Sequence, residues 1–294
     1  MTAAGRAGRR GEPSGLIALI YEREGLPRFE RPLELHRLYG GDFGLPERSV
    51  YANFVSTIDG VIAIPGFRRS NRLISDDSEP DRFVLGLLRA CADVVLVGSG
   101  TLRGSPNARW QAQEAFPPAA SSFAELRRLL GRAGEPEVAI VTGSGSIDTA
   151  HPALRGGALV LTTARGAATL EGQLADASQL VVLPGSDRVD ARAVVDFLCS
   201  RGHERILSEA GPTLFGSLAS AGLVDELFLT VSPLLAGRST LEPNPRAGRG
   251  REPPSLSPTR RAAPLRSPAR QPPLPPLPAR ARELTRKRTA RGEC

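Results

Sequence analysis

The run Asp93-Val-Val-Leu-Val-Gly98 constrains this chain more than any other segment. Four consecutive branched aliphatic residues stopped by a glycine read as a strand buried on both faces, as in a parallel sheet covered by helices on either side. The residues before it agree. Ser78-Glu79-Pro80-Asp81 supplies a hydroxyl cap, a proline near the first helical position and an acid in the first turn. Phe83, Leu87, Leu88 and Cys91 then recur at spacings of three and four, so one face of that helix is apolar.

The alternation continues along the chain. Val50–Ile58 reads as a strand ending at the turn pair Asp59-Gly60, with Val61–Ile64 as a following strand. Ser122-Phe-Ala-Glu125 has the form of a capping box, opening a helix that Gly131 ends, and Val138–Thr142 is the strand after it. Strands at Ala158–Thr162, Leu180–Leu183, Arg205–Ser208 and Glu226–Val231 are interleaved with helices over Ala191–Ser200 and Thr213–Ala221. Residues 16–47 receive no element. Strands alternating with helices predict an α/β domain built on a mainly parallel sheet.

Composition sets the boundaries. Residues 1–15 are small residues and arginine, a flexible leader, and residues 16–238 carry the α/β pattern. From residue 239 to 294 there are twelve prolines, including Pro272-Pro-Leu-Pro-Pro-Leu-Pro278, and no apolar period. Such a segment buries too little surface to offset its ordering entropy, which predicts a disordered tail with polyproline character. Out-of-frame reading of GC-rich DNA produces this composition, so a frameshift near codon 238 is one expectation. The tail holds thirteen basic and four acidic residues; with +7 for the whole chain, the first 238 residues are left at −2. The basic balance therefore belongs to the tail. A nucleic-acid or SH3-type binder acting through that tail is the alternative from a different class, but the tail has no aromatic residue to stack on bases. Three cysteines, Cys91, Cys199 and Cys294, do not form a disulfide framework. No apolar run approaches a membrane span of about 20 residues. A cytoplasmic chain with no membrane association is expected.

Chemistry is expected where strands end, since open α/β sheets bind ligands there. Three segments place small or acidic residues at such ends: Ala52–Gly60, Ala92–Arg103 and Ile206–Gly216. The second and third follow one plan of strand, small-residue turn and helix, whose exposed amides suit phosphate. Gly98-x-Gly100 with Gly104 misses the dinucleotide spacing G-x-G-x-x-G by one position.

The segments ANFVSTIDG, DRFVLGLLRACADVVLVGSGTLR and ILSEAGPTLFGSLASAGLVDELFLTVSPLLAG, in this order, resemble the reductase domain of riboflavin-biosynthesis enzymes and its stand-alone actinobacterial relatives. The resemblance runs from Tyr51 to Gly237 and implies a dihydrofolate-reductase-like fold. It also implies NADPH-dependent reduction of the ribosyl group of a phosphoribosylaminopyrimidine. On matching positions Gly98, Ser99, Gly100, Thr101 and Arg103 would line the cofactor, with the Arg103 guanidinium suited to the 2′-phosphate. Gly211, Pro212, Thr213 and Leu214 would meet the pyrophosphate. Ser70, Arg89 and Glu209 would contact substrate, and Asp59, with Glu209, would serve the chemistry. Gly104-Ser105 departs from the acid that bifunctional members carry after this turn. The zinc deaminase half is missing, because none of His36, His151 and His203 sits in H-x-E and there is no P-C-x-x-C. Dihydrofolate or pterin reduction is the enzymatic alternative. Family members dimerise through strands near the C-terminus, so a homodimer is expected where those strands are intact; the sequence after Ser239 offers no alternating run for them.

Overall fold

The computed structural model describes residues 16–17, 26–41, 43–64, 70–132 and 134–237. The leader and the tail expected at residues 1–15 and 239–294 lie outside the described residues. Seven strands form one sheet: β1 (Ser49–Thr57), β2 (Val94–Gly98), β3 (Glu137–Thr142), β4 (Leu159–Thr162), β5 (Gln179–Val182), β6 (Arg205–Ser208) and β7 (Glu226–Ser232). Their order is β5-β4-β3-β2-β6-β1-β7, and every pairing between them is parallel.

Helices cover both faces. In chain order they are α1 (Leu33–Tyr39), α2 (Ser70–Ser75), α3 (Glu79–Cys91), α4 (Ser99–Gly104), α5 (Ala112–Ala115), α6 (Ala120–Leu129), α7 (Pro152–Arg155), α8 (Ala164–Leu170), α9 (Ala191–Ser200) and α10 (Pro212–Ser220). The period of two along each strand distributes the core. Val95, Val97, Val138, Ile140, Tyr51 and Leu207 pack with Phe83, Leu87, Phe123 and Leu126 from α3 and α6. Val94, Leu96, Ala139, Val141, Val50 and Ile206 pack on the other side with Val194, Val195, Leu198 and Leu218 from α9 and α10. This is why β2 is apolar at every position: each face has its own helical layer, and each large aliphatic side chain buried there is worth about 1.5–3 kcal/mol. Tyr51 is fully buried and donates its hydroxyl to the Leu88 carbonyl at 2.9 Å, tying β1 to α3. Cys91 is a core residue whose thiol burial pushes up to about 11, leaving it unreactive.

Three local expectations are corrected. Val61–Ile64 is not a strand. β1 already has β6 on one side and β7 on the other, so no edge is free for a hairpin return; after Gly60 (φ +80°) the chain only folds back so that Thr57 N–H donates to the Val61 carbonyl at 3.0 Å. Ser122 is not a cap, because α6 begins at Ala120 after a 3₁₀ turn over Pro117–Ala119, and the Ser122 hydroxyl instead bonds the Glu34 carboxylate of α1. Residues 16–47, left without an element, contain α1, which follows Pro32 and stops at Gly40 (φ +78°).

At the β7 edge Leu227, Leu229 and Val231 are about half exposed while the residues between them face the core. No helix among the described residues is long and apolar enough to cross a membrane.

Candidate functional site

Because all strands point the same way, their C-terminal ends meet along one rim, and the small residues that stop β2 and β6 leave a cleft there of about 580 Å³. That volume is in the range of small-molecule and cofactor sites. β2 hands over to α4 through Gly98, Ser99, Gly100 and Thr101. β6 hands over to α10 through Glu209, Ala210 and Gly211, and Pro212 then opens a nine-residue helix. Pro212 has no N–H, and the first N–H groups of such a helix have no intrahelical partner; Thr213 and Leu214, which carry them, line the cleft.

The two turns confront each other closely. A Cβ on Gly211 would lie 3.5 Å from Thr101 Oγ1, a Cβ on Gly98 would lie 3.9 Å from the Leu214 side chain, and Gly100 borders open space. These are ordinary contact distances, so the two turns pack against each other, and their backbone and small side chains line the cleft.

Glu209 is aimed by the sheet itself. Its N–H donates to the Leu96 carbonyl at 3.0 Å, extending the β2–β6 ladder one residue past β6. Its carboxylate is gripped by Arg89 of α3 in a two-pronged fork, Nε to Oε1 at 2.6 Å and Nη2 to Oε2 at 2.8 Å, while Arg89 Nη1 donates to the Gln111 carbonyl at 3.1 Å. Both side chains are about nine-tenths buried. Burial alone would lower the Arg89 pKa, but the Glu209 charge and its hydrogen bonds outweigh it, and the guanidinium is held above its ordinary range.

Trp110 stands beside this network. It is almost fully buried, stacks on His151 with centroids 5.8 Å apart, and takes φ +57°, a conformation rare for a bulky residue. The turn is held by the Glu114 carboxylate, which accepts from the N–H groups of Arg109 and Gln111.

A second carboxyl lines the cleft. Asp81, in the first turn of α3, accepts from the Thr230 hydroxyl of β7 at 2.5 Å and is in none of the ion pairs among the described residues. Burial pushes its pKa up, and the Thr230 bond only partly opposes the shift. Among the described residues no group of His, Cys, Asp and Glu is arranged to hold a metal ion.

Of the residues expected from sequence, Ser70, Arg89, Gly98, Ser99, Gly100, Thr101 and Arg103 line the cleft, as do Glu209 and Gly211 through Leu214. Asp59 stands apart from them. Its carboxylate accepts from the Thr57 hydroxyl at 2.5 Å and from the N–H groups of Ala236 at 3.3 Å and Gly237 at 2.8 Å, so it clasps the chain after β7 to the end of β1. These bonds, chiefly the Thr57 hydroxyl, hold it below the usual carboxylate range. Asp81, Trp110 and Arg188 are cleft residues that sequence reasoning missed. For Asp81 the signal was present in the helix-start motif but read only as a favourable first-turn charge.

The model of the RibD C-terminal domain family matches residues 48–247. The chain belongs to this family. It is similar to a 2,5-diamino-6-ribosylamino-4(3H)-pyrimidinone 5′-phosphate reductase of Archaeoglobus fulgidus, 27% identical over 191 residues that span 64% of this chain and 81% of that protein. A reductase of the same name from Methanothermobacter thermautotrophicus is 39% identical over 57 residues, 19% of this chain and 26% of its own. Among solved structures, a pyrimidine reductase-like protein of Corynebacterium diphtheriae aligns over 68% of this chain and 82% of its own, with a TM-score of 0.52 at 22% identity, a likeness that shows the fold. The family is the one that the three sequence motifs resemble, and the RibD C-terminal domain match extends ten residues beyond Gly237.

Proposed function

We propose that this RibD C-terminal domain protein is an NADPH-dependent reductase of a ribosylaminopyrimidinone phosphate, the substrate named for its relatives. The observation that carries the reading is the pair of facing glycine turns, Gly98–Thr101 and Gly211–Leu214, with the Arg89–Glu209 fork opening onto the same cleft. The turns would hold the dinucleotide through backbone groups. When bound, the cofactor supplies the hydride.

Glu209 accepts hydrogen bonds from substrate hydroxyl or amino groups, and Arg89 is its positioning residue, since both fork nitrogens are already committed to the carboxylate. This differs from a direct role for Arg89 on the substrate phosphate. Asp81 is the carboxyl suited to delivering the proton that accompanies hydride addition, because burial favours its protonated form and Thr230 fixes its orientation. Ser70, at the start of α2, contributes a hydroxyl to the same end of the cleft. The buried Trp110 and the apolar side chains around it exclude water there.

The test is oxidation of NADPH by the purified chain with a ribosylaminopyrimidinone phosphate, compared with dihydrofolate. Turnover of the first and not the second is expected, and Glu209→Gln should lower kcat/KM by roughly tenfold to a hundredfold while leaving NADPH affinity nearly unchanged. No turnover of the pyrimidinone by folded protein that binds NADPH would overturn the substrate assignment.

A further inference from the structure

Trp110 takes a conformation that a residue of its size disfavours. A bulky side chain at φ +57° persists only where its surroundings impose it, and such residues gather at ligand sites. Here three side chains impose it. Glu114 Oε2 accepts from the N–H groups of Arg109 at 2.9 Å and Gln111 at 3.3 Å, on either side of Trp110. Arg89 holds the Gln111 carbonyl with the same guanidinium that grips Glu209. At the other end of the segment the Ser105 carbonyl accepts from the Ala108 N–H at 3.0 Å and from His151 Nε2 at 2.9 Å.

His151 is only 3% exposed and is not among the residues that line the cleft. Its tautomer follows from its partners. Nδ1 accepts from the Ala153 N–H at 3.2 Å, so Nε2 carries the proton and donates to Ser105. The ring then lies against the indole, with the two planes 29° apart. One side chain thus fixes two cleft-lining residues, Ser105 and Trp110, and the start of α7. Trp110 in turn lines the cleft while 1% exposed, and its indole N–H has no acceptor among the described residues. A buried indole N–H ordinarily finds one, because an unpaired buried donor forfeits the hydrogen bond it makes in water. A strained backbone and an unpaired donor therefore coincide at one residue of the cleft wall.

We propose that Trp110 donates its indole N–H to an acceptor oxygen of the substrate, and that His151 is the positioning residue that holds it there. This rests on the reductase reading above, which gives Glu209 to hydrogen-bond donors of the substrate. A carboxylate that accepts and an indole that donates, tied together through Arg89, suit a molecule that presents donors beside acceptor oxygens, as a ribosylaminopyrimidinone phosphate does. The ring oxygen and the phosphate oxygens of such a substrate share this acceptor chemistry.

Trp110 is the only tryptophan in the chain, so incorporation of the benzothiophene isostere of tryptophan, with sulfur in place of the N–H, changes this one group. The experiment is steady-state reduction of a ribosylaminopyrimidinone phosphate by the full chain, the isostere-containing chain, His151→Asn and the two changes together, with NADPH and ribose 5-phosphate affinities from calorimetry. The isostere should raise KM for the pyrimidinone roughly threefold to tenfold, with kcat and NADPH affinity nearly unchanged. A parallel loss on ribose 5-phosphate assigns the acceptor to the phosphate end, and no loss there assigns it to the ring. Asparagine at 151 keeps an acceptor for the Ala153 N–H, so the thermal midpoint should hold while KM rises as it does for the isostere. Because His151 acts through Trp110, the combined change should add little to either alone. An unchanged KM with the isostere, or a loss that falls on NADPH affinity, overturns the contact. An unchanged KM in His151→Asn, or two losses that simply multiply, overturns the positioning role. If circular dichroism shows that His151→Asn fails to fold, His151→Gln carries the same comparison. Folded protein that binds NADPH but does not reduce the pyrimidinone removes the substrate reading and this proposal together, whereas turnover that the isostere leaves unaltered removes this proposal alone.

Discussion

At the N-terminal ends of β2, β3 and β6 the sheet is closed by charge, whereas at the C-terminal ends of the same strands it is left open by small residues. On the closed rim the Asp93 carboxylate accepts from the N–H groups of Glu204 at 2.9 Å and Arg205 at 2.7 Å and pairs with Arg132 at 2.7 Å. Glu137 holds His203 at 2.8 Å and Arg201 at 3.3 Å. The carboxylates of this rim are each paired with a cation or with backbone N–H groups. Among the described residues of the open rim the comparable pair is Arg89–Glu209; beside it stand Asp81 with a single hydroxyl partner and two exposed arginines, Arg103 and Arg188, outside the ion pairs of the described residues. The difference teaches where to look for chemistry in a parallel sheet: saturated charges hold strands together, and unsaturated ones await a ligand.

Asp81→Asn should have the largest effect. Turnover is expected to fall roughly 10²–10⁴-fold, as for loss of a general acid, while the folded chain becomes no less stable at neutral pH. The sign follows from the upward shift: a carboxyl whose folded pKa is raised contributes stability below its unfolded pKa, and that contribution is lost as pH rises through the folded value. Asn removes that burden. A stability loss together with unchanged turnover would assign Asp81 to structure.

Arg89→Met comes next, since it leaves the Glu209 carboxylate buried without its cation. A loss of about 3–5 kcal/mol is expected in denaturant unfolding, and Arg89→Met with Glu209→Gln should recover much of it. Recovery of stability in the double variant would assign the loss to the carboxylate left buried without its cation.

The opposite rim sharpens the comparison. Asp93→Asn should cost roughly 1.5–3 kcal/mol with kcat/KM unchanged. Despite the opposing burial, hydrogen bonds from Arg205 and Arg132 hold Asp93 below the usual carboxylate range. Its stabilisation is therefore present above the unfolded carboxylate pKa and is lost as pH falls through the folded value. The acid limb of stability should flatten in the variant.

The smallest effect belongs to Asp59→Asn. Hydrogen exchange of the Ala236 and Gly237 amides should quicken, with turnover retained. Lost turnover with those amides still protected would return Asp59 to the chemistry.

Much of the fold was legible because β2, β3 and β6 carry apolar residues towards both faces at their centres and α3 and α9 have one clean apolar stripe. α9 and β6 were placed to the residue. Short elements were not legible, since α1 buries only Leu35 among its seven residues. Local motifs also mislead where tertiary partners compete: Ser122 has the spacing of a cap, yet its hydroxyl is taken by Glu34. In the site, backbone-shaping glycines were readable from sequence because their role is local. The Arg89–Glu209 fork joins residues 120 positions apart, and Asp81–Thr230 joins residues 149 apart, so neither pairing leaves a local trace.

The most direct measurement is residue-resolved amide perturbation of the folded chain on titration with NADPH. Shifts and slowed exchange are expected at Gly98, Ser99, Gly100, Thr101, Gly211, Thr213 and Leu214, and none at Asp93, Glu137 or Arg205 on the closed rim. Perturbations concentrated on the closed rim, or none at either rim with the chain folded and the cofactor saturating, would contradict it.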